Sequence, residues 1–177
     1  LLGPKGSGKT ELARFIHALS GRRGEFVIGP APSITESLLQ GEFLGHARGA
    51  FTDAHAERKG MLELAHQGTL FLDEIESASL ALQSLLVGQV EQQTVRRIGD
   101  VRPRQVDVRY IYATNADLRA LAVRGDFRPD LLDRIGGLEI RVPALIEYRG
   151  AVLPLAHQFI REATTILGRD CSVEFSI

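Results

Sequence analysis

The sequence predicts an α/β fold in which a parallel sheet lies between layers of helix. Three observations carry that expectation: a Gly-rich run directly after a hydrophobic pair, apolar runs of strand length, and helical-period segments that alternate with them. Leu1 and Leu2 read as the end of a buried strand. The loop of residues 3–10 follows, and then Leu12, Phe15, Ile16 and Leu19 recur at helical spacing until Ser20 and Gly21 close the helix. Residues 25–29 (EFVIG) read as a strand, and Ser33, Ile34, Thr35 and Glu36 form a capping box for a helix carrying Leu38, Leu39 and Phe43. Residues 45–56 are loop-like and residues 61–65 resume a helical pattern. Residues 68–72 (GTLFL) read as a short strand buried on both faces. A helix over 79–92, a strand over 106–114, a short helix from Asp117 and another with Pro129 as its first residue come next. Residues 138–142 read as a strand before Pro143. Residues 151–167 place Leu155, Phe159, Ile160, Ala163, Ile166 and Leu167 on one apolar helical face.

Composition bounds the function. The 177 residues, 44% hydrophobic and 24% charged, suit one domain with a real core and a small appendage. A net charge of −1 excludes chain-wide electrostatic binding to nucleic acid. The single cysteine, Cys171, excludes an internal disulfide and fits a reducing compartment. No apolar run approaches the length that crosses a bilayer, and no signal peptide, repeat or low-complexity stretch is visible. A strand feeding the Gly-rich loop normally begins several residues before it, so the sequence reads as a piece of a longer protein.

Gly3, Pro4, Lys5, Gly6, Ser7, Gly8, Lys9 and Thr10 fit the phosphate-loop pattern G-x-x-x-x-G-K-[ST] without a mismatch. Successive amides in such a turn converge on phosphate oxygens, and the following helix adds its positive end. Lys9 has the reach for the β- and γ-phosphates of ATP, and the Thr10 hydroxyl suits Mg²⁺. Asp73 and Glu74 end the apolar run of residues 70–72. An Asp there suits the shell of the metal, and the following Glu is placed to orient or deprotonate a water. Asn115, after the predicted strand 106–114, suits either contact with the γ-phosphate and its attacking water or an N-cap for the next helix. Arg128 and Arg134 stand six apart. They read either as solvated surface arginines or as cations delivered to a transferring phosphoryl group. Arg96, Arg97, Arg102 and Arg104 read chiefly as a solvated, salt-bridged hairpin, with a DNA- or pore-facing role as the alternative.

With these motifs, the chain resembles the central AAA+ ATPase domain of bacterial enhancer-binding proteins, the activators of sigma-54 RNA polymerase. The resemblance covers nearly the whole sequence. It rests on both nucleotide motifs, on residues 68–75, 106–118 and 127–134, and on residues 45–54 (GHARGAFTDA). In that last run Gly49, Ala50, Phe51, Thr52, Asp53 and Ala54 match the family's GAFTGA loop, with Phe51 either an exposed apolar tip or folded back on the surface. The resemblance implies a P-loop NTPase three-layer α/β/α sandwich over residues 1–148, with residues 149–177 beginning a helical lid. It further implies ATP and Mg²⁺ as ligands, a hexameric ring, and a cytoplasmic bacterial location. Asp73 and Glu74 would handle metal and water, Asn115 would sense the γ-phosphate, and Arg128 and Arg134 would act as arginine fingers in the neighbouring subunit. The GAFTGA-like loop would contact sigma-54, with promoter DNA engaged only indirectly.

The chain departs from the family pattern in several places. Asp53 replaces a glycine of the loop, adding charge and removing backbone freedom. Pro30 stands where the family usually has the Asn that holds the catalytic Glu, and proline carries neither an amide side chain nor a backbone donor. Leu145-Ile146-Glu147-Tyr148 stands where Leu-Arg-Glu-Arg is common, and Thr10 where Glu is frequent. These departures sustain an alternative expectation: an ATP-binding assembly module of the same family that no longer engages sigma-54.

Overall fold

The computed structural model describes residues 1–30, 36–51 and 54–168. Ser33, Ile34 and Thr35 of the predicted capping box, Thr52 and Asp53 of the predicted contact loop, and Cys171 lie outside the described residues. The chain forms two compact units, Leu1–Val142 and Pro143–Ile177.

In the first unit the elements alternate as the sequence suggests. Helix α1 (Lys9–Leu19) leads to strand β1 (Phe26–Pro30), helix α2 (Glu36–Leu44), and a two-strand ladder of β2 (Gly45–His46) and β3 (Arg58–Lys59). Then come α3 (Met61–Leu64), β4 (Thr69–Asp73), α4 (Leu80–Gln92) and a hairpin of β5 (Thr94–Val95) and β6 (Arg104–Gln105). Strand β7 (Arg109–Tyr112) and helices α5 (Leu118–Arg124) and α6 (Pro129–Ile135) complete it. Ser79 caps α4 by accepting from the Leu82 amide, and Asp117 caps α5 by accepting from the amides of Arg119 and Ala120.

The sheet is parallel, in the order β1-β4-β7. It continues through Leu2, which bridges in parallel to Thr114 on one side and to Arg141 on the other. Strand β4 sits at the centre of the packing. Thr69 and Leu70, Phe71 and Leu72 are all fully buried, as expected of a strand covered on both faces. Alternation divides its side chains between two cores. Leu70 and Leu72 join Leu39, Phe43, Leu62, Leu82, Leu86, Phe127 and Leu131 under α2–α6. Phe71 joins Ala13, Ile111 and Ala113 under α1. The result is three layers.

Three expectations are corrected. The strand predicted over 106–114 is shorter: the ladder spans Arg109–Tyr112, and Val106 instead pairs its amide with Gln93 O beside the β5–β6 hairpin. The strand predicted over 138–142 reduces to a bridge at Arg141, held by Leu2 N–H to Ile140 O and Val142 N–H to Leu2 O. The buried stripe of α1 runs through Lys9 and Ala13 rather than Phe15 and Leu19, which are 59% and 70% exposed. The small side chain of Ala13 sits fully buried against Phe71 and Ala113, and on this helix the positions of Phe15 and Leu19 point away from that seam.

The arginine-rich stretch is a hairpin, but one of its arginines is not solvated. Arg97 is 5% exposed and bonds Glu63 with Nε at 2.5 Å and Nη2 at 2.8 Å, while Nη1 reaches Glu57 at 2.9 Å. Arg104 pairs with Asp100 at 3.0 Å. The bidentate contact with Glu63 holds the Arg97 guanidinium charged against the cost of burial.

In the second unit, helix α7 (Val152–Leu167) forms as its periodicity suggests, with Pro154 tolerated in the first turn and Gly168 in the left-handed region closing it. Its apolar face includes Phe159 and Ile166, both exposed. Among the described residues, no helix is long and apolar enough to cross a membrane.

Candidate functional site

The carboxyl ends of the parallel strands converge on one edge, where open α/β sheets bind their ligands. The Gly-rich loop leaves the sheet at Leu2 and is anchored there by Gly3 N–H to Thr114 O, 3.1 Å. Gly6 and Gly8 have φ of 75° and 87°, a region in which a side chain is strained, and the space where their Cβ atoms would lie is open. Among the described residues, no backbone carbonyl accepts from the amides of Gly6 and Gly8, which leaves donors available to an anion. Lys9, only 8% exposed, opens α1 beneath the loop, and its ammonium donates to Gly3 O and Pro4 O, each at 2.9 Å. Thr10 follows on the first turn of the same helix.

Asp73 ends β4, in register with Pro30 at the end of β1. Its Oδ1 accepts from the Glu74 amide at 2.9 Å. Glu74 leaves the strand with φ 51° and ψ 46°, a left-handed conformation uncommon for a residue with a Cβ and frequent at functional sites. This turn directs its carboxylate to the Gly-rich loop, where Oε1 meets the Lys5 ammonium at 2.7 Å. Loop and acid pair are therefore in direct contact. The ion pair with Glu74 raises the pKa of Lys5 above its ordinary value.

Asn115 follows Thr114, whose carbonyl anchors the loop, and its amide lies 3.5 Å from Glu76 Oε1. The cap of α5 is Asp117, so the capping alternative for Asn115 falls away. Arg128 sits at the N-cap of α6, chelating Asp130 through Nε at 2.9 Å and Nη2 at 2.6 Å. That contact raises the pKa of Arg128 and lowers that of Asp130. Arg134 lies one turn beyond Asp130 and donates to Asp130 O at 3.0 Å. A cavity of about 870 Å³ beside β7 is bordered by Asn115 and Arg134 but not by Lys9.

Two features escaped sequence reasoning. One is the Lys5–Glu74 contact. The other is Gln83, fully buried on α4, which donates to Ala78 O and Asp126 O and accepts from the Arg128 amide at 2.7 Å. It fixes the backbone from which Arg128 projects. A polar residue on the apolar face of α4 was the available signal.

Phe51 lies between β2 and β3 in sequence, and the described residues before it contact the arginine hairpin. Ala47 N–H donates to Ile98 O at 2.9 Å, and Ile98 N–H donates to Gly45 O at 3.0 Å. Gly99, at φ 75°, lets Ala50 approach so closely that an added Cβ would meet the Ala50 Cβ at 2.8 Å. Gly49 N–H closes onto Ala54 O at 2.8 Å, and Ala54 is buried. Phe51 is half exposed, its ring tilted against His46 with centroids 5.0 Å apart.

The sequence profile of the sigma-54 interaction domain matches residues 1–141. The chain belongs to the sigma-54 interaction domain family. Its fold is the AAA+ core, with a parallel sheet between helical layers. The chain is 44% identical over 163 residues to the Nif-specific regulatory protein of Herbaspirillum seropedicae, covering 92% of this chain and 30% of that protein. It is 40% identical over 169 residues to the sigma54-dependent transcriptional activator SfnR of Pseudomonas putida, covering 95% and 46%. Among solved structures, NtrX from Brucella abortus in complex with ATP superposes with a TM-score of 0.81 at 33% identity, covering 92% of this chain and 37% of that one. The sigma-54 interaction domain described here thus spans under half the length of these relatives.

Proposed function

We propose that this chain is the ATP-hydrolysing domain of a sigma-54-dependent transcription activator, working in the cytoplasm of a bacterium. The observation that carries the reading is the contact between the Gly-rich loop and the acid pair, measured by the 2.7 Å separation of Lys5 Nζ and Glu74 Oε1. The residues fit a Mg-nucleotide. The amides of Gly6 and Gly8, which meet no backbone carbonyl among the described residues, suit phosphate oxygens, and Thr10 and Asp73 offer the one or two oxygen ligands that Mg²⁺ takes from protein when phosphates and waters supply the rest. Bound there, the metal would neutralise charge on the phosphates. Lys9 gives up its two carbonyl partners for phosphate oxygens. Glu74 orients and deprotonates the attacking water, and Asn115, one residue beyond the loop's anchor, senses the γ-phosphate.

Arg128 and Arg134 then act in trans, across the subunit interfaces of a hexameric ring, where an arginine stabilises the transferring phosphoryl group. Residues 49–54 form the contact with sigma-54, and hydrolysis is coupled to remodelling of the closed promoter complex. Support for a moving loop comes from its base: Gly45 and Ala47 bond Ile98 of the arginine hairpin and β2 pairs with β3 rather than with the parallel sheet, so loop base and hairpin can shift together.

The test is capture of sigma-54 by the full-length protein with a transition-state analogue of ATP. A stable complex that forms only with the analogue is the expected result. Nucleotide binding without capture would favour the alternative that Asp53 motivates, an ATP-dependent assembly module without a sigma-54 contact.

A further inference from the structure

We propose that Lys5 is a positioning residue for Glu74, holding its carboxylate over the mouth of the Gly-rich loop. The inference rests on the reading of Glu74 as the residue that orients the water. Lys5 is not needed as the loop's buried cation, because Lys9 occupies that place beneath it. Its side chain instead extends along the outside of the loop, 75% exposed, to a carboxylate that is 34% exposed.

Glu74 requires such a partner. It projects from a left-handed turn at the end of β4, beyond the last ladder pair, with its amide already committed to Asp73. At the end of the adjacent strand, Pro30 brings neither a backbone N–H nor a polar side chain. Among the described residues, the cation paired with Glu74 is Lys5. An ion pair this exposed is enough to bias where the carboxylate sits but not to stabilise the fold measurably. A small displacement of a group acting on a water costs rate out of proportion to its effect on folding.

The test is steady-state ATP turnover by the full-length protein, with kcat and KM resolved. Lys5→Ala is expected to lower kcat about 3- to 5-fold while KM stays within about twofold, because the base is misplaced and the phosphate cradle is intact. Lys5→Arg keeps the cation and is expected to restore kcat to within about twofold. In a Glu74→Gln background, followed by single-turnover kinetics, Lys5→Ala should add no further loss, since residues acting through one another are not additive.

An unchanged kcat in Lys5→Ala overturns the proposal. So does a raised KM with kcat kept, which would make Lys5 a phosphate ligand, and so does a full additional loss in the Glu74→Gln background. Absence of turnover in the parent protein would overturn the proposed function itself, whereas turnover in the parent with Lys5→Ala indistinguishable from it removes only the role of Lys5.

Discussion

Lys9→Ala is expected to weaken Mg-ATP binding at least about a hundredfold, roughly 3 kcal/mol, as read by calorimetry or a fluorescent nucleotide. The size follows from where the ammonium sits. Lys9 is 8% exposed and opens α1 beneath the Gly-rich loop, so its charge acts with little solvent between it and a phosphate. Charge-assisted hydrogen bonds of this kind are about twice as strong as neutral ones. The fold should survive the change. The bonds lost run to the carbonyls of Gly3 and Pro4 within the same loop, and the burial of Ala13 that seats α1 is untouched. A variant that still binds Mg-ATP tightly would show that the loop is not the phosphate site.

Glu74→Ala separates binding from chemistry. Affinity for Mg-ATP should stay within a few-fold of the parent, because the amides of the loop, Lys9 and Thr10 are unchanged. Turnover should fall by about 10²- to 10⁴-fold, the usual contribution of a positioned general base. Stability should change little: alanine bears the same left-handed backbone at φ 51°, and the ion pair that is lost is exposed. Equilibrium binding and single-turnover hydrolysis, measured on one preparation, distinguish the two effects. Normal turnover would remove Glu74 from its assigned role.

The parts of this protein that were legible in its sequence are those written locally. Residues 3–10 carry their own loop geometry, because only glycine accepts φ near 80° without strain and the pattern fixes where those glycines stand. Strand β4 was readable because a strand covered on both faces has no polar side to alternate with, and its acids mark where the strand ends. Helices α4 to α6 were announced by Ser79, Asp117 and Pro129, each satisfying or sparing a backbone donor at its helix start.

What escaped depends on partners distant in sequence. Nothing near Lys5 indicates that Glu74, at the end of another strand, will be its neighbour. The periodicity of α1 named Phe15 and Leu19, yet the sheet selected Ala13, because close approach to Phe71 and Ala113 favours a small side chain. Residues 138–142 have the composition of a strand, and their pairing with Leu2 at Arg141 joins residues far apart in the chain. Arg97 reads as one of four surface arginines. Only the fold brings Glu63 and Glu57 to it and makes its burial tolerable.

The most direct measurement is a crystal structure of the protein grown with Mg²⁺ and a non-hydrolysable ATP analogue. The triphosphate should lie on the amides of residues 5–10, with the metal between Thr10 and Asp73 and with Glu74 facing the terminal phosphate. A triphosphate bound elsewhere at saturating analogue, with Lys9 still on the carbonyls of Gly3 and Pro4, would contradict the assignment of this loop and acid pair as one site.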